Sequence, residues 1–165
     1  MSTHHAPVDT DAVIAQLNSR QAPIIRSLQG RVQAYAAERR ELRMGFEITP
    51  ELCHSVDIVQ GGIVTAMLDA SMAHVVLVTE GMAISVASID IQVSFLRPAR
   101  AGAFTAVGSY VKPGRTIAFL KAELYNATGD LVATATSAAH LTRHAAPPAA
   151  ALAAQTTDPH PAGRL

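Results

Sequence analysis

The chain has few of the features that mark secreted, membrane-spanning or nucleic-acid-binding proteins. Its single cysteine, Cys53, cannot form an intramolecular disulfide, and the N-terminal segment MSTHHAPVDTD has neither the basic nor the apolar region of a signal peptide. Thirteen basic and thirteen acidic side chains cancel, and no Lys/Arg block is present, which disfavours binding to nucleic acid or to an anionic membrane. We therefore expect a cytoplasmic protein.

The longest apolar run also argues against a membrane segment. It extends from Ile63 to Val78 and is interrupted by Asp69 and His74, which makes it too short and too polar for a membrane span. The run predicts a buried helix, and no membrane insertion is expected.

The 165 residues suffice for one globular domain with a substantial core, since 49% are hydrophobic and 16% charged. We predict an N-terminal extension over residues 1–22, with a short helix from its N-cap Thr10 to Arg20. The folded domain is predicted over residues 23–143. Residues 144–165 are rich in Ala and Pro and have too few large side chains to offset the entropy of ordering, so a disordered tail is expected.

Hydrophobic periodicity predicts two strands, the long helix and then four more strands. The predicted strands cover residues 28–36, 41–48, 85–96, 104–112, 116–126 and 131–142. In the third strand, alternation places Ile89, Val93 and Phe95 on one face and Ser88 on the other. The order ββαββββ, with a helix that is apolar on nearly all sides, predicts an α+β architecture in which a curved antiparallel sheet wraps the helix.

One acidic residue, Asp69, interrupts the apolar helix. Burying an isolated carboxylate is unfavourable unless other groups compensate for its lost hydration. Asp69 either lies on a solvated strip or at a subunit interface, or it serves as a general base or nucleophile in a water-poor cleft. Its position alone does not separate these alternatives.

Two glycines, Gly61 and Gly62, precede this helix. The first amide N–H groups of a helix lack intrahelical acceptors, and the helix dipole is positive there, which favours an oxyanion. Glycine lets a substrate carbonyl approach the backbone closely, so an acyl group could be polarised there while Asp69 acts across the cleft. The alternative is that the glycines only form a tight turn. No GxGxxG or Walker pattern supports a phosphate site.

Three segments resemble the hotdog-fold acyl-CoA thioesterases of the phenylacetyl-CoA thioesterase (PaaI)-like group. They are QGGIVTAMLD at the start of the helix, SIDIQVSFLRPA after it and the later KPGR turn. The most specific element is an acid seven residues after the second glycine, a spacing met by Gly62 and Asp69. The resemblance covers roughly residues 28–142. It implies a hotdog fold and hydrolysis of a medium-chain or aromatic acyl-CoA, with no cofactor besides the coenzyme A of the substrate.

The resemblance also implies roles for single residues. The Gly61 amide would polarise the thioester carbonyl, and Asp69 would act as general base for water or as nucleophile. Ser88 matches a water-orienting serine of the family to within one residue. The chain has His54 and Gln60 where members often have Asn and His, and Gln60 can hold the helix N-terminus or the thioester but cannot titrate near neutral pH.

Four residues are candidates for binding the substrate. Gly62 and His54 lie close to the expected cleft, while Arg97 and Arg115, at a strand end and in a turn, could meet the phosphates of coenzyme A. For His54 and the arginines the alternative is a solvated loop side chain. No histidine pair has convincing metal-ligand spacing, so no metal site is expected.

Two other functions stay open. A hotdog hydratase or dehydratase would combine a histidine with an acid in one cleft, and only His54 is available for that role. A non-catalytic module would bind acyl-CoA without turnover, which the acid in the helix argues against. In each case the unpaired edges of a single sheet favour pairing with a second copy. We expect a homodimer, or a dimer of dimers, with the helix of one subunit facing the other across the cleft.

Overall fold

A computed structural model describes residues 8–144 of the chain. The predicted disordered tail lies almost entirely outside these residues, as does most of the N-terminal segment that precedes the first helix. The described residues contain three α-helices and nine strands. The helices are α1 (Thr10–Ser19), α2 (Pro23–Ser27) and α3 (Gly61–Glu80). The strands are β1 (Arg31–Ala36), β2 (Glu41–Ile48), β3 (Cys53–Ser55), β4 (Ile58–Val59), β5 (Ile84–Ser88), β6 (Gln92–Phe95), β7 (Gly102–Lys112), β8 (Ile117–Asn126) and β9 (Leu131–Arg143).

A single antiparallel sheet forms most of the structure. Its strands lie in the order β1, β2, β7, β8, β9 and β5, and β6 pairs with β9 beyond the end of β5. The sheet curves around α3, so the predicted ββαββββ order and the hotdog fold are both confirmed. A separate hairpin of β3 and β4 precedes α3 and was not predicted, because its strands are only three and two residues long.

The central helix α3 supplies much of the core. Nine of its residues are buried, and of its twenty residues only Gly62 is exposed. Burial of this much apolar surface is the main favourable term in folding. By length and composition alone α3 could cross a membrane, but here it packs against β7, β8, β5, β2 and β9 as the core helix of the domain.

Gly108 in β7 sets how closely the sheet approaches this helix. A Cβ atom at this position would overlap the Ser71 carbonyl group of α3, at 2.6 Å from the carbonyl carbon. Because the obstacle is backbone, a side chain could be accommodated only by moving the helix or the strand. Glycine therefore allows direct backbone contact between β7 and the middle of α3.

Two local predictions were wrong at the N-terminal end of the domain. The N-cap of α1 is Asp9, whose carboxylate accepts the Ala12 amide at 3.0 Å, and Thr10 is the first helical residue. Both side chains are common N-caps, so the sequence did not separate them. The first predicted strand begins at Arg31, because residues 23–27 form α2, with a proline in its first turn.

The third predicted strand is also wrong in one respect, because it is divided into β5 and β6. Ser88 of β5 pairs with Ala139, whereas Gln92 of β6 pairs with Thr136. From Ser88 to Gln92 this strand advances by four residues, whereas its partner β9 advances by only three, from Ala139 to Thr136. The extra residue is a β-bulge within residues 89–91.

The bulge changes which side chains face the helix. Ser88 lies opposite Ala139 and Phe95 lies opposite Ala133, and both alanines are fully buried under α3. Directly paired residues point to the same face of a sheet, so Ser88 and Phe95 both face the helix. Unbroken alternation had placed these two residues on opposite faces, and the bulge is the reason for the difference.

We predict that Gly108→Ala lowers the free energy of unfolding by about 1–3 kcal/mol, the usual cost of overpacking a core. The matched control is Gly62→Ala, because a Cβ atom at Gly62 meets nothing within 4 Å. In a helix this second change should be neutral or stabilising by about 0.5–1 kcal/mol. Urea denaturation measures both values, and equal effects would contradict a close contact at Gly108.

Candidate active site

Asp69 and Ser88 are in direct contact on the helix-facing side of the sheet. The Ser88 hydroxyl donates a hydrogen bond to Asp69 Oδ1 at 2.7 Å. Asp69 is half-buried in the first half of α3, and Ser88 is the last residue of β5 and is exposed. The carboxylate in the apolar helix therefore has a neutral hydrogen-bond donor as its partner. Within residues 8–144 it forms no salt bridge.

The first turn of α3 presents two free amide groups. Gln60 is the N-cap, and its carbonyl accepts the amides of Ile63 at 2.8 Å and Val64 at 3.2 Å. In the described part of the chain the amides of Gly61 and Gly62 donate no hydrogen bond. They can therefore donate hydrogen bonds to a ligand oxygen at the positive end of the helix dipole.

A pocket of about 440 Å³ lies beside Gly61. Most of its lining is apolar, and three lining residues, His54, Gly61 and Arg97, contribute polar groups. The apolar lining consists of Ile58, Val59, Val64, Phe95, Leu96, Pro98, Ala99 and Val132. The pocket is thus suited to an apolar group whose polar end reaches the start of α3.

Phe95 was not predicted as a site residue, although its ring forms the pocket wall next to Gly61. A Cβ atom at Gly61 would lie 3.4 Å from the end of this ring. The side chain is 58% exposed, which is unusual for a phenylalanine whose strand faces the core. Alternation along the predicted strand marked Phe95 only as a core residue, which is why its role in the pocket was not predicted.

The other predicted residues fall into two groups. His54 lines the pocket and its Nδ1 is hydrogen-bonded to the Ser55 hydroxyl at 2.8 Å, while Arg97 also lines it and donates to the Leu131 carbonyl at 2.6 Å. Gln60 is exposed, and its side chain does not cap α3. Arg115 lies in the exposed turn between β7 and β8 and does not line this pocket.

Gly61 and Asp69 lie at different places along one helix. Eight residues separate them, which corresponds to about 12 Å along the helix axis. An amide that binds a carbonyl oxygen and a carboxylate that serves the same carbonyl carbon must both lie within hydrogen-bonding reach of the reacting group. One chain therefore does not bring these two groups to a common substrate.

His74 is the histidine in the middle of α3. It is half-buried, and its Nδ1 donates to the Ala70 carbonyl at 2.7 Å. Burial lowers the pKa of His74, and the hydrogen bond to Ala70 opposes this only in part. The ring is thus held neutral in the core and is not paired with Asp69. Among the described residues no group of three His, Cys, Asp or Glu side chains could hold a metal ion.

Comparisons with known proteins agree on one family. The family model of the thioesterase superfamily matches residues 57–133. The phenylacetic acid degradation-related protein of Ralstonia eutropha JMP134 is 30% identical, with a TM-score of 0.70, and the match covers 78% of this chain and 98% of that chain. A comparison with curated proteins gives no match.

Two further solved structures share the fold at lower identity. A thioesterase family protein of Silicibacter pomeroyi is 22% identical, with a TM-score of 0.71 and coverage of 81% of this chain and 98% of that one. The E. coli PaaI protein from the phenylacetic acid degradation operon is 16% identical, with a TM-score of 0.71 and coverage of 85% and 97%.

The lowered pKa of His74 predicts a pH-dependent stability. In the unfolded chain His74 binds a proton below about pH 6.5, whereas in the folded chain its pKa is lower and it binds the proton only at a lower pH. The stability that this residue contributes is therefore present above pH 6.5 and is lost as pH falls through the folded-state pKa. We expect His74→Gln to reduce the change in urea midpoint between pH 7.5 and pH 5. An unchanged difference would contradict this origin.

Proposed function

The chain belongs to the thioesterase superfamily and is a thioester hydrolase, and on that premise we propose that it hydrolyses acyl-CoAs with a medium-chain or aromatic acyl group. We assign the chemistry to Asp69, Ser88 and the Gly61 amide. The observation that carries this assignment is the hydrogen bond of 2.7 Å between Ser88 and Asp69, which gives the acid in the middle of α3 a polar partner on the cleft side.

The Gly61 amide would stabilise the negative charge that develops on the thioester oxygen. A backbone donor of this kind needs no reorganisation during the reaction, and the glycine lets the carbonyl approach. Gly62 and Gln60 would support this end of the substrate, Gly62 with a second free amide and Gln60 with its side-chain amide.

Asp69 would act on the carbonyl carbon, either by taking a proton from the attacking water or by attacking itself to form a mixed anhydride. Because Ser88 donates to Oδ1, Oδ2 remains for the water, and the serine oxygen can accept a second hydrogen bond that orients it. In the first route the C–S bond breaks and the proton that Asp69 took from water passes to the departing thiolate. In the second route the carboxylate displaces the thiolate, and water then cleaves the anhydride to the free acid and the Asp69 carboxylate, with a proton of that water passing to the thiolate. Oxygen from labelled water appears in the Asp69 carboxylate during a single turnover only if the anhydride forms.

The pocket beside Gly61 supports an apolar acyl group. Its volume of about 440 Å³ and its apolar lining suit a medium-length chain or an aromatic ring, and Phe95 could stack on the latter. Arg97 keeps guanidinium donors beyond its bond to Leu131, and we propose that it meets a phosphate of coenzyme A. Arg115, in the exposed turn between β7 and β8, is a second candidate for a contact with a phosphate of coenzyme A.

The positions of Gly61 and Asp69 support a homodimer in which each site takes one residue from each chain. The less buried side of α3 runs along Gly62, Ala66, Asp69 and Ala73, which share one helix face. If two copies pack along this face with a twofold axis, Gly61 of one copy can approach Asp69 of the other. The small side chains at Ala66 and Ala73 would leave room for the substrate between the helices.

A hydratase is less well supported. The histidine that such chemistry would need is His54, and its Nδ1 is already hydrogen-bonded to the Ser55 hydroxyl at 2.8 Å. His54 is accordingly assigned to substrate binding.

We predict that Asp69→Asn lowers kcat for acyl-CoA hydrolysis by about 10²–10⁴-fold, the usual contribution of a general base. Thiol release is measured on short, medium, long and aromatic acyl-CoAs, for the wild type and the variant, after circular dichroism has verified the fold. Ser88→Ala should lower kcat less, because the carboxylate remains. Full activity of Asp69→Asn would show that the catalytic acid lies elsewhere.

We predict that Gly61→Pro lowers kcat by about 10²–10³-fold, because it deletes the proposed oxyanion donor. Proline fits the first helical position, and Gln60 has φ −58° and ψ 134°, the conformation that a following proline favours. The control, Gly61→Ala, keeps the amide and should retain activity. Its Cβ atom requires at most a small shift of the Phe95 ring, which would lie 3.4 Å away.

Mixing the two inactive variants then tests whether sites are shared between chains. An Asp69→Asn chain paired with a Gly61→Pro chain contains one site with both native groups. Random exchange of subunits should therefore restore about a quarter of the wild-type activity, since half of the dimers are mixed and each has one of two sites intact. No recovery after verified exchange would place both groups of a site in one chain.

A further inference from the structure

The β-bulge between β5 and β6 is held by one aspartate and one serine. The Ala138 amide of β9 donates to Asp90 Oδ1 at 2.8 Å, and the Ser137 hydroxyl donates to the Asp90 carbonyl at 2.7 Å. The Ile89 amide donates to the Ala138 carbonyl at 2.8 Å. Asp90 thus bonds to β9 through both its side chain and its backbone.

These bonds replace the ladder that the bulge interrupts. An extra residue in one strand leaves backbone groups of the partner strand without their regular partners, and such groups are costly when unpaired. The Asp90 carboxylate satisfies the Ala138 amide, and Ser137, which is 4% exposed, satisfies the Asp90 carbonyl from the core side. The bulge therefore keeps these groups of β9 and of Asp90 paired.

The bulge lets one short segment reach both parts of the active site. Ser88 and Phe95 are seven residues apart, and in a regular strand an odd spacing puts two side chains on opposite faces. Here Ser88 reaches Asp69, and the Phe95 ring lies against Gly61 at the pocket. Without the extra residue, only one of the two would face α3.

We propose that Asp90 is a positioning residue for thioester hydrolysis, which holds the bulge that directs Ser88 to Asp69. This inference rests on the proposed function, because it concerns the same catalytic groups. Asp90 is exposed and does not line the pocket, so it acts through the backbone of its own strand and not by touching substrate.

Loss of this support should affect Ser88 more than Phe95. Ser88 forms the last pair of β5 next to the bulge and is two residues from Asp90, whereas Phe95 is five residues away and three other pairs of β6 lie between it and the bulge. We therefore expect Asp90→Ala to lower kcat by about tenfold to a hundredfold, since small misplacements of a catalytic group have effects of that size. KM should change by about twofold or less, because the pocket wall remains in place.

Two matched variants separate positioning from general destabilisation. Asp90→Asn keeps a carbonyl oxygen that can accept the Ala138 amide and should retain most of the activity. Asp9→Ala removes the same kind of bond, a carboxylate that accepts one backbone amide, at the N-cap of α1. It should lower the melting temperature and leave kcat unchanged.

The decisive measurement is a double-mutant cycle with Ser88→Ala. If Asp90 acts through Ser88, Asp90→Ala has no further effect on kcat once the serine hydroxyl is absent. An equal loss in both backgrounds, or wild-type kcat in the single variant, would overturn the inference. If Asp90→Ala does not fold, the same cycle is measured with Ser137→Ala, which removes the bonds of the Ser137 hydroxyl to the Asp90 and Ala138 carbonyls and leaves the Asp90 carboxylate in place. Full activity of Asp69→Asn would instead refute the proposed function.

Discussion

Enclosure of a twenty-residue apolar helix by one antiparallel sheet is the constraint on which the rest of this structure depends. The helix has almost no side that tolerates water, so the sheet must curve around it, and Gly108 permits backbone contact where they meet. The same enclosure fixes both parts of the proposed active site, because the start of the helix supplies free amides and its first half carries the acid. The scaffold and the site are therefore built from one element.

An acid in such a helix requires a compensating partner, and the structure supplies a hydroxyl. Pairing with a lysine or arginine would also have satisfied Asp69, but the positive charge would have stabilised the carboxylate and weakened it as a base. A serine hydroxyl satisfies one oxygen and leaves the second available.

Most of the fold could be predicted because it follows from periodicity. Strands and helices differ in the spacing of their apolar residues, so the order of elements along the chain could be predicted from the sequence. The bulge was not, since Ala87, Ile89 and Ile91 continue an apolar alternation across it, and its position is set by pairing with β9, which is distant in sequence. For the site, the glycine pair and Asp69 came from a motif, and their roles remain predictions. The contact of Ser88 with Asp69 and the position of Phe95 in the pocket wall depend on the bulge, so they could be found only from the structure.

The bulge has a second consequence, which concerns aggregation. In the described chain β5 and β6 lie at one end of the sheet, and β6 extends the same side of β9. A long, flat edge strand is a template onto which any other strand can add. Here the edge is divided into segments of five and four residues that are out of step by one residue, with an exposed carboxylate between them. A strand in regular register can follow only one of the two segments, so the divided edge is a poorer template for a strand from another chain.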